Sequence, residues 1–354
     1  MKSKTWFISF IITNIVLLSL VIGYVVYIDP FFHYHKPVSD FYYTLDNERS
    51  QNDGIIRNFD YDAIITGTSM TENFKTTEFD SLFGVKSIKI PFNGASYKEV
   101  NQNLEKALSS GREIKIVIRS LDMAYIYGKA APWSLSGDQP YYLYDNNILN
   151  DAYYVLNKDV IYERCNNIFE NYCEGNPGGI TSFDSYASWN DESEYGKEQV
   201  LKKYDSFSKP TNINFLTEED KKDIENNINN NIIDIALKYP NTEFYCFIPP
   251  YSIVWWGVLY EDGDLNKQIQ AEKYAIELLL EVPNIKIYSW NNNYELITNL
   301  DNYQDYMHYG YWVNSMILED ICSEETRITK EKYKEYIKNE LNYYSNYSYN
   351  ELFN

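Results

Sequence analysis

Histidine is scarce in this chain: three residues in 354, namely His33, His35 and His308. Any chemistry that needs an imidazole base beyond the first few dozen residues therefore has one candidate. Cysteine is nearly as rare, with four residues and no spacing that suits a bound metal. Cys165 and Cys173 stand close enough in sequence to pair in an oxidising compartment, while Cys246 in a strand-like run and Cys322 in a helix-like run read as buried free thiols. No metal or other cofactor is expected. Basic residues are also short, 31 Lys and Arg against 51 Asp and Glu, for a formal net charge of −20. That balance argues against nucleic acid and against an anionic leaflet as the main partner. There is no internal repeat.

Charge is missing altogether between Trp6 and Ile28, where Ile, Leu, Val and Phe dominate and Asn14 is the one strongly polar residue. As a helix this run rises about 34 Å, enough for a hydrocarbon layer of about 30 Å. Lys2 and Lys4 precede it and Asp29 follows. The positive-inside bias then places the N-terminus in the cytoplasm and the rest outside, a single-pass protein of the cell membrane. A cleaved signal peptide is the competing reading. The run ends Tyr24-Val25-Val26-Tyr27-Ile28, without a small-x-small cleavage site, which favours a retained anchor. The part beyond the span carries about −22 by formal count.

Residues 29–60 form a polar, aromatic connection in which Pro30 and Pro37 stop the helix. Strand and helix patterns then alternate. Asp62 to Gly67, Ser87 to Pro91, Lys115 to Leu121, Thr242 to Ile248 and Asn284 to Trp290 read as strands. Ser96 to Ser109, opened by a Ser96/Glu99 capping box, and Thr217 to Lys238, opened by Thr217-x-x-Asp220, read as helices, as do Leu265 to Leu280 and Tyr311 to Cys322. Five strands separated by helices predict an α/β three-layer sandwich around a mainly parallel five-stranded sheet, over residues 61–328. The rhythm fails between Asp122 and Leu216, which predicts an inserted subdomain at 123–216, rich in Tyr and Trp and suited to a lid. Residues 329–354 read as a surface helix with a polar tail. The 36 Tyr suggest a Tyr-rich outer surface.

In open parallel sheets the reactive groups lie beyond the carboxyl ends of the strands. After the first strand comes Gly67-Thr68-Ser69-Met70, where a serine on a tight turn exposes its hydroxyl and free N–H groups favour developing negative charge. A helix N-cap serine is an equal reading of that segment alone. After the second strand comes Asn93-Gly94-Ala95-Ser96, whose Gly94 N–H suits an oxyanion-hole donor beside the Ser69 N–H, or is an ordinary turn glycine. The third strand ends Ser120-Leu121-Asp122. His308, the one histidine of the body, follows the fifth strand within Asp305-Tyr306-Met307-His308. That spacing lets Asp305 hold Nδ1–H and leaves Nε2 to accept a serine proton. Taken together, Ser69, Asp305 and His308 read as a catalytic triad. His33 and His35 read as interfacial packing rather than metal ligands. Asp122, Tyr125, Trp133 and Trp255 are candidates for contact with substrate.

These residues resemble the SGNH (GDSL-like) hydrolase superfamily, with Ser69 in its first block, Gly94 in its second and Asp305 with His308 in its last. The likeness spans roughly residues 60–122 and 217–322. It implies a flavodoxin-like sheet and a serine esterase or acyltransferase. The third block of that superfamily supplies an Asn to the oxyanion hole, whereas this chain has Arg119-Ser120-Leu121-Asp122; Asn93 and Ser120 are the substitutes on offer. An anchored, exported chain of this kind is similar to proteins of teichoic-acid D-alanylation and polysaccharide O-acetylation. That resemblance implies a cell-envelope glycan or polyol polymer as acceptor and a multispan membrane O-acyltransferase as partner. Acyl transfer is the leading expectation, with a carbohydrate esterase and an inactive polymer-binding module as the alternatives.

Overall fold

The computed structural model describes residues 3–128, 140–189 and 194–354. The chain forms two compact units, residues 1–59 with 137–182, and residues 60–136 with 183–354. The segment expected as one insertion is thus divided: its middle groups with the N-terminal residues, and its end, from Phe183, with the sheet.

In the first unit the apolar run is one helix, Ser3–Ile28, exposed on every side from Ser3 to Val21, with Val25 and Ile28 buried at its end. The chain leaves the helix through Asp29 at φ 49°, and the buried Asp29 carboxylate accepts the amides of His33, Tyr34 and His35 at 3.0, 2.7 and 3.0 Å and the Tyr154 hydroxyl at 2.8 Å. Burial raises its pKa, and those donors oppose the rise. His33 Nε2 lies 3.4 Å from Asp151, and the His35 ring nitrogens are taken by the carbonyls of Lys36 and Val26. Tyr42–Tyr43 pairs in parallel with Gly179–Ile180. All four cysteines are free thiols. Cys165 and Cys173 lie on continuous helical winding, eight residues and roughly 12 Å of rise apart, so the expected pairing is out of reach. Cys322, expected inside, is exposed, and Cys246 is buried.

The second unit is built on a six-stranded sheet rather than five: β1 (Ala63–Thr66), β2 (Ser87–Lys89), β3 (Ile116–Ser120), β4 (Glu243–Ile248), β5 (Ile285–Ser289) and β6 (Arg327–Ile328). Their order is β2-β1-β3-β4-β5-β6; all neighbours are parallel except β6, which runs antiparallel to β5. At two residues β6 is too short to carry a period, so no sequence pattern marks it. β1 and the last five residues of β4 are wholly buried, which requires cover on both sheet faces. Helices supply it in two packed groups: Thr76–Phe83 with Tyr311–Ser323, and Tyr97–Leu108, Glu218–Ile228, Leu265–Leu279 and Tyr333–Asn346 in a second set.

Both capping boxes form, Ser96 with Glu99 and Thr217 with Asp220. The helix expected from Thr217 to Lys238 is interrupted by a π-helical turn at Asn229–Ile233. There the Asn231 carbonyl accepts from the buried Arg119 Nη1 at 2.8 Å. A further helix, Ile253–Asp262, follows the Pro249-Pro250 stop. Twelve of the 36 tyrosines are buried, Tyr97, Tyr251, Tyr303, Tyr309 and Tyr344 among them, and the rest are partly or fully exposed.

The C-terminal residues belong to the core rather than to a polar tail. Helix Tyr333–Asn346 packs on Leu265–Leu279 and buries Ile337, Glu340 and Tyr344. Glu340 and Glu272, both buried, share the amide of Asn291, whose Nδ2 donates to Glu272 at 3.1 Å and to Glu340 at 3.1 Å. Two carboxylates so placed cannot both ionise, and burial pushes Glu272 up to about 8 while burial and the Glu272 charge push Glu340 up as well. A carboxyl whose pKa rises on folding binds its proton more tightly in the native state. Its contribution is complete below about pH 4.5 and is lost as pH climbs to about 8. Glu340→Gln is therefore expected to flatten the fall in stability between pH 5 and 8 and to raise the unfolding free energy at pH 8 by about 1–2 kcal/mol. Urea unfolding at several pH values measures it; an unchanged slope overturns the assignment.

Candidate active site

The site begins where β1 and β3 end side by side, with Thr66 in register with Arg119. The residue after β1 is Gly67, at φ 155°, and a Cβ there would run into the Ser120 hydroxyl and come within 2.7 Å of the Thr71 methyl. Only glycine lets the turn pass this close. Thr68 follows as the cap of a single 3-10 turn, Ser69–Thr71, with its Oγ1 accepting from the Met70 amide at 3.4 Å. The turn does not continue as a helix. One turn supplies little dipole, so the electrostatic help reduces to individual amides.

Beneath the turn lies Asp122, buried, with a carboxylate that accepts three hydroxyls: Ser120 at 2.7 Å, Thr68 at 2.9 Å and Tyr251 at 3.2 Å. Ser120 Oγ in turn accepts the Thr68 amide at 3.3 Å. Burial raises the Asp122 pKa, while these three hydroxyls and the positive charge available to His308 lower it. Two expectations are corrected by this arrangement. Asp122 is sealed under the turn and does not meet substrate. Ser120 is not an oxyanion donor, because its one proton goes to Asp122.

His308 arrives from the far side of the sheet on a short hairpin. Tyr303 and Tyr309 bridge its base, and the Gln304 amide donates to the His308 carbonyl at 3.0 Å. The Tyr303 hydroxyl donates to the Pro250 carbonyl at 2.9 Å, and Ser252 donates to the Tyr306 carbonyl through its hydroxyl at 2.9 Å and its amide at 3.2 Å, which ties the hairpin to the segment after β4. Inside it Asp305 Oδ1 accepts the amides of Met307 and His308, each at 2.8 Å, and Oδ2 stands 2.8 Å from His308 Nδ1. The three-residue spacing thus works through a carboxylate-closed loop rather than a helical turn. His308 Nε2 stands 2.8 Å from Ser69 Oγ. With Nδ1–H given to Asp305, Nε2 is the acceptor for the serine proton. Burial alone would raise the Asp305 pKa, but the His308 ring and the two amides hold it below the ordinary carboxylate range.

The oxyanion candidates divide. Neither the Ser69 nor the Gly94 amide donates to an acceptor among the described residues. Gly94 is buried at φ 62°, so its turn requires the left-handed region, and the Asn93 side chain is exposed. Of the substrate candidates, Tyr125 is half-buried, its hydroxyl pKa pushed up to about 12 by burial and then by the charges of Asp122 and Tyr306. Trp255 is buried in the core with its ring 4.8 Å from those of Tyr251 and Trp256, which removes it from the substrate list. Trp133 lies outside the described residues.

The sequence did not single out Trp189 for the site. Its ring stands edge-on to His308 with centroids 5.7 Å apart, and its amide donates to Asn73 Oδ1 at 3.2 Å. The same stretch is fastened by Asp184, which accepts the Thr76 hydroxyl and the Thr77 amide and hydroxyl, and by the buried Lys89, which donates to the Asp184 carbonyl at 3.4 Å as well as to those of Glu72 and Phe74. Aromatic richness between residues 122 and 216 was the one available signal, and it did not separate Trp189 from its neighbours.

No family model matches the chain, and no curated protein matches it. Among solved structures, a Streptococcus pneumonia protein provisionally assigned as a platelet activating factor aligns over 79% of this chain and 91% of its own, at 11% identity and a TM-score of 0.39. A likeness of that size decides nothing about chemistry, which rests on the geometry above.

Gly67→Ala tests the turn. It is expected to cost about 2–4 kcal/mol in chemical denaturation, because the new methyl meets Ser120 beside a fully buried carboxylate; a loss below about 0.5 kcal/mol would show that the turn yields freely.

Proposed function

We propose that the protein is a membrane-anchored, extracytoplasmic serine acyltransferase or esterase of the SGNH type, acting on hydroxyls of a cell-envelope glycan or polyol polymer. The observation that carries this reading is the continuous relay from Ser69 Oγ through both nitrogens of His308 to Asp305, each link 2.8 Å. In the first half-reaction Ser69 Oγ attacks the carbonyl carbon of an acyl ester as its proton passes to Nε2. The tetrahedral oxyanion faces the amides of Ser69 and Gly94. Collapse breaks the ester bond, and the departing alcohol leaves with the proton from His308. In the second half-reaction His308 takes a proton from an acceptor hydroxyl, whose oxygen attacks the acyl-Ser69 carbonyl, and the Ser69 oxygen leaves with that proton from His308. Asp305 keeps the imidazole in its working tautomer and offsets the imidazolium charge. With water as acceptor the same steps give hydrolysis.

Transfer is favoured over hydrolysis by two features. The third-block Asn donor of the superfamily is absent from Arg119-Ser120-Leu121-Asp122, and the Ser120 proton is engaged by Asp122. The anchor also keeps the chain beside its polymer. Retention of that helix is supported by Val25 and Ile28, whose removal would open the core of the first unit.

A fluorophosphonate probe is expected to label Ser69 in folded protein at neutral pH, with no labelling of Ser69→Ala. His308→Gln and Asp305→Asn are each expected to slow labelling by about 10²–10⁴-fold. Absence of label on the folded wild type overturns the reading. Acyl-donor assays with and without a glycan acceptor separate transfer from hydrolysis, since free acid without acylated glycan selects the esterase. The lowered Asp305 pKa keeps that carboxylate out of the acid limb of the rate profile. Asp305 stays ionised through mild acid, so any fall in the labelling rate there is expected to carry the slope of no more than one ionisation. A two-proton slope above pH 5 would contradict it.

A further inference from the structure

The end of the apolar helix is enclosed by rings. The Tyr24 ring meets Phe169 at 6.1 Å, Phe169 meets Tyr172 at 6.3 Å, Tyr172 meets Phe41 at 5.4 Å, and Phe41 meets Tyr27 at 5.7 Å. The circuit begins and ends on the helix, one turn apart. A polar contact reinforces it, since the Tyr24 hydroxyl donates to Asn166 Oδ1 at 2.9 Å. A ring of aromatics made only to pack would be buried. Here Tyr27, Phe169 and Tyr172 are 60%, 44% and 47% exposed, and the neighbouring Tyr153 and Tyr162, on short helical segments that also pack against the helix, are more exposed still.

Helix length places the circuit. From Trp6 to Tyr24 the helix rises about 27 Å, close to the roughly 30 Å thickness of a hydrocarbon layer. The helix is exposed on all sides up to Val21, and enclosure starts within its last turn and a half. A span of this length leaves the bilayer where the rings begin. Tyr and Trp favour that depth because the ring body is apolar and the hydroxyl or indole N–H stays wet. The charge of the same stretch chooses the surface. Asp159, Glu163, Glu170 and Glu174 outnumber Lys158 and Arg164, so attraction to anionic headgroups is absent and neutral headgroups suffice.

We infer that Tyr24, Tyr27, Phe169 and Tyr172, with Tyr153 and Tyr162 beside them, form a collar seated in the headgroup layer of the membrane that the helix spans. The first unit is thus held to the lipid surface as well as tethered to it. The collar rests on the anchor reading made above and adds a second membrane contact to it.

The exposed Cys173 beside Tyr172 offers a probe site in the full chain, once Cys322→Ser removes the other exposed thiol. The protein is placed in phosphatidylcholine vesicles with bimane on Cys173, and spin-labelled phosphatidylcholine quenches it from the headgroup or from deep in the acyl chain. A companion chain carries Leu17→Cys, Cys173→Ser and Cys322→Ser, with the label at position 17. The collar predicts that headgroup spin quenches the Cys173 label at least about twofold more than deep spin, with the reverse order at position 17. It also predicts that Phe169→Ser with Tyr172→Ser reduces the headgroup quenching at Cys173 by about half or more, and that added phosphatidylglycerol does not strengthen it. Deep quenching at position 17 with no lipid quenching at Cys173 overturns the collar and leaves the anchor standing. No deep quenching at position 17 overturns the anchor, and the collar with it.

Discussion

A tight constraint in the second unit lies between the carboxyl ends of two neighbouring parallel strands, where Gly67 rests against Ser120 with no room for a methyl group. From this contact the nucleophile turn takes its shape. Thr68 is drawn down to Asp122 by its hydroxyl and to Ser120 by its amide, so the next residue, Ser69, points away from the sheet. A buried carboxylate is a costly group, and three hydroxyl donors offset its burial here. The strand order β2-β1-β3 makes this possible, because it sets β1 between two strands whose loops part on either side.

The second partner comes from a remote part of the chain. His308 is held in a hairpin whose base is two buried tyrosines and whose interior is organised by one carboxylate. Asp305 serves three donors at once, two amides and an imidazole, so it shapes the loop and orients the ring with the same pair of oxygens. Here stability and the proposed chemistry draw on the same hydrogen bonds. Asp122 and Asp305 differ in what burial does to them: the first is pushed up beneath the turn, and the second is held down by His308.

Local pattern was legible wherever a short-range rule applied. The capping boxes at Ser96 and Thr217 formed as their spacing required, and the five longer strands fell within two residues of the apolar runs that marked them. Position after a strand also pointed to Ser69, Gly94 and His308, because open parallel sheets collect reactive groups at one edge. Illegible features were those that depend on distant partners. Trp255 and Asp122 looked available and are buried, Ser120 looked like a donor and has given its proton away, and the C-terminal helix looked polar while carrying Glu340 into the core.

What the sequence determined by itself was a parallel α/β sheet behind a long apolar helix, together with a single imidazole in the body and a carboxylate three residues before it. Composition and periodicity suffice for these, since they follow from how each stretch meets water, lipid or its own neighbours in the chain. Only the tertiary structure decided which hydroxyl meets that imidazole, which aromatic stands beside it and which residues close around the helix end. Those facts join positions more than a hundred residues apart, such as Ser69 with His308, Trp189 with His308 and Tyr24 with Asn166. No local propensity encodes such pairs, because they exist only once the intervening chain has packed.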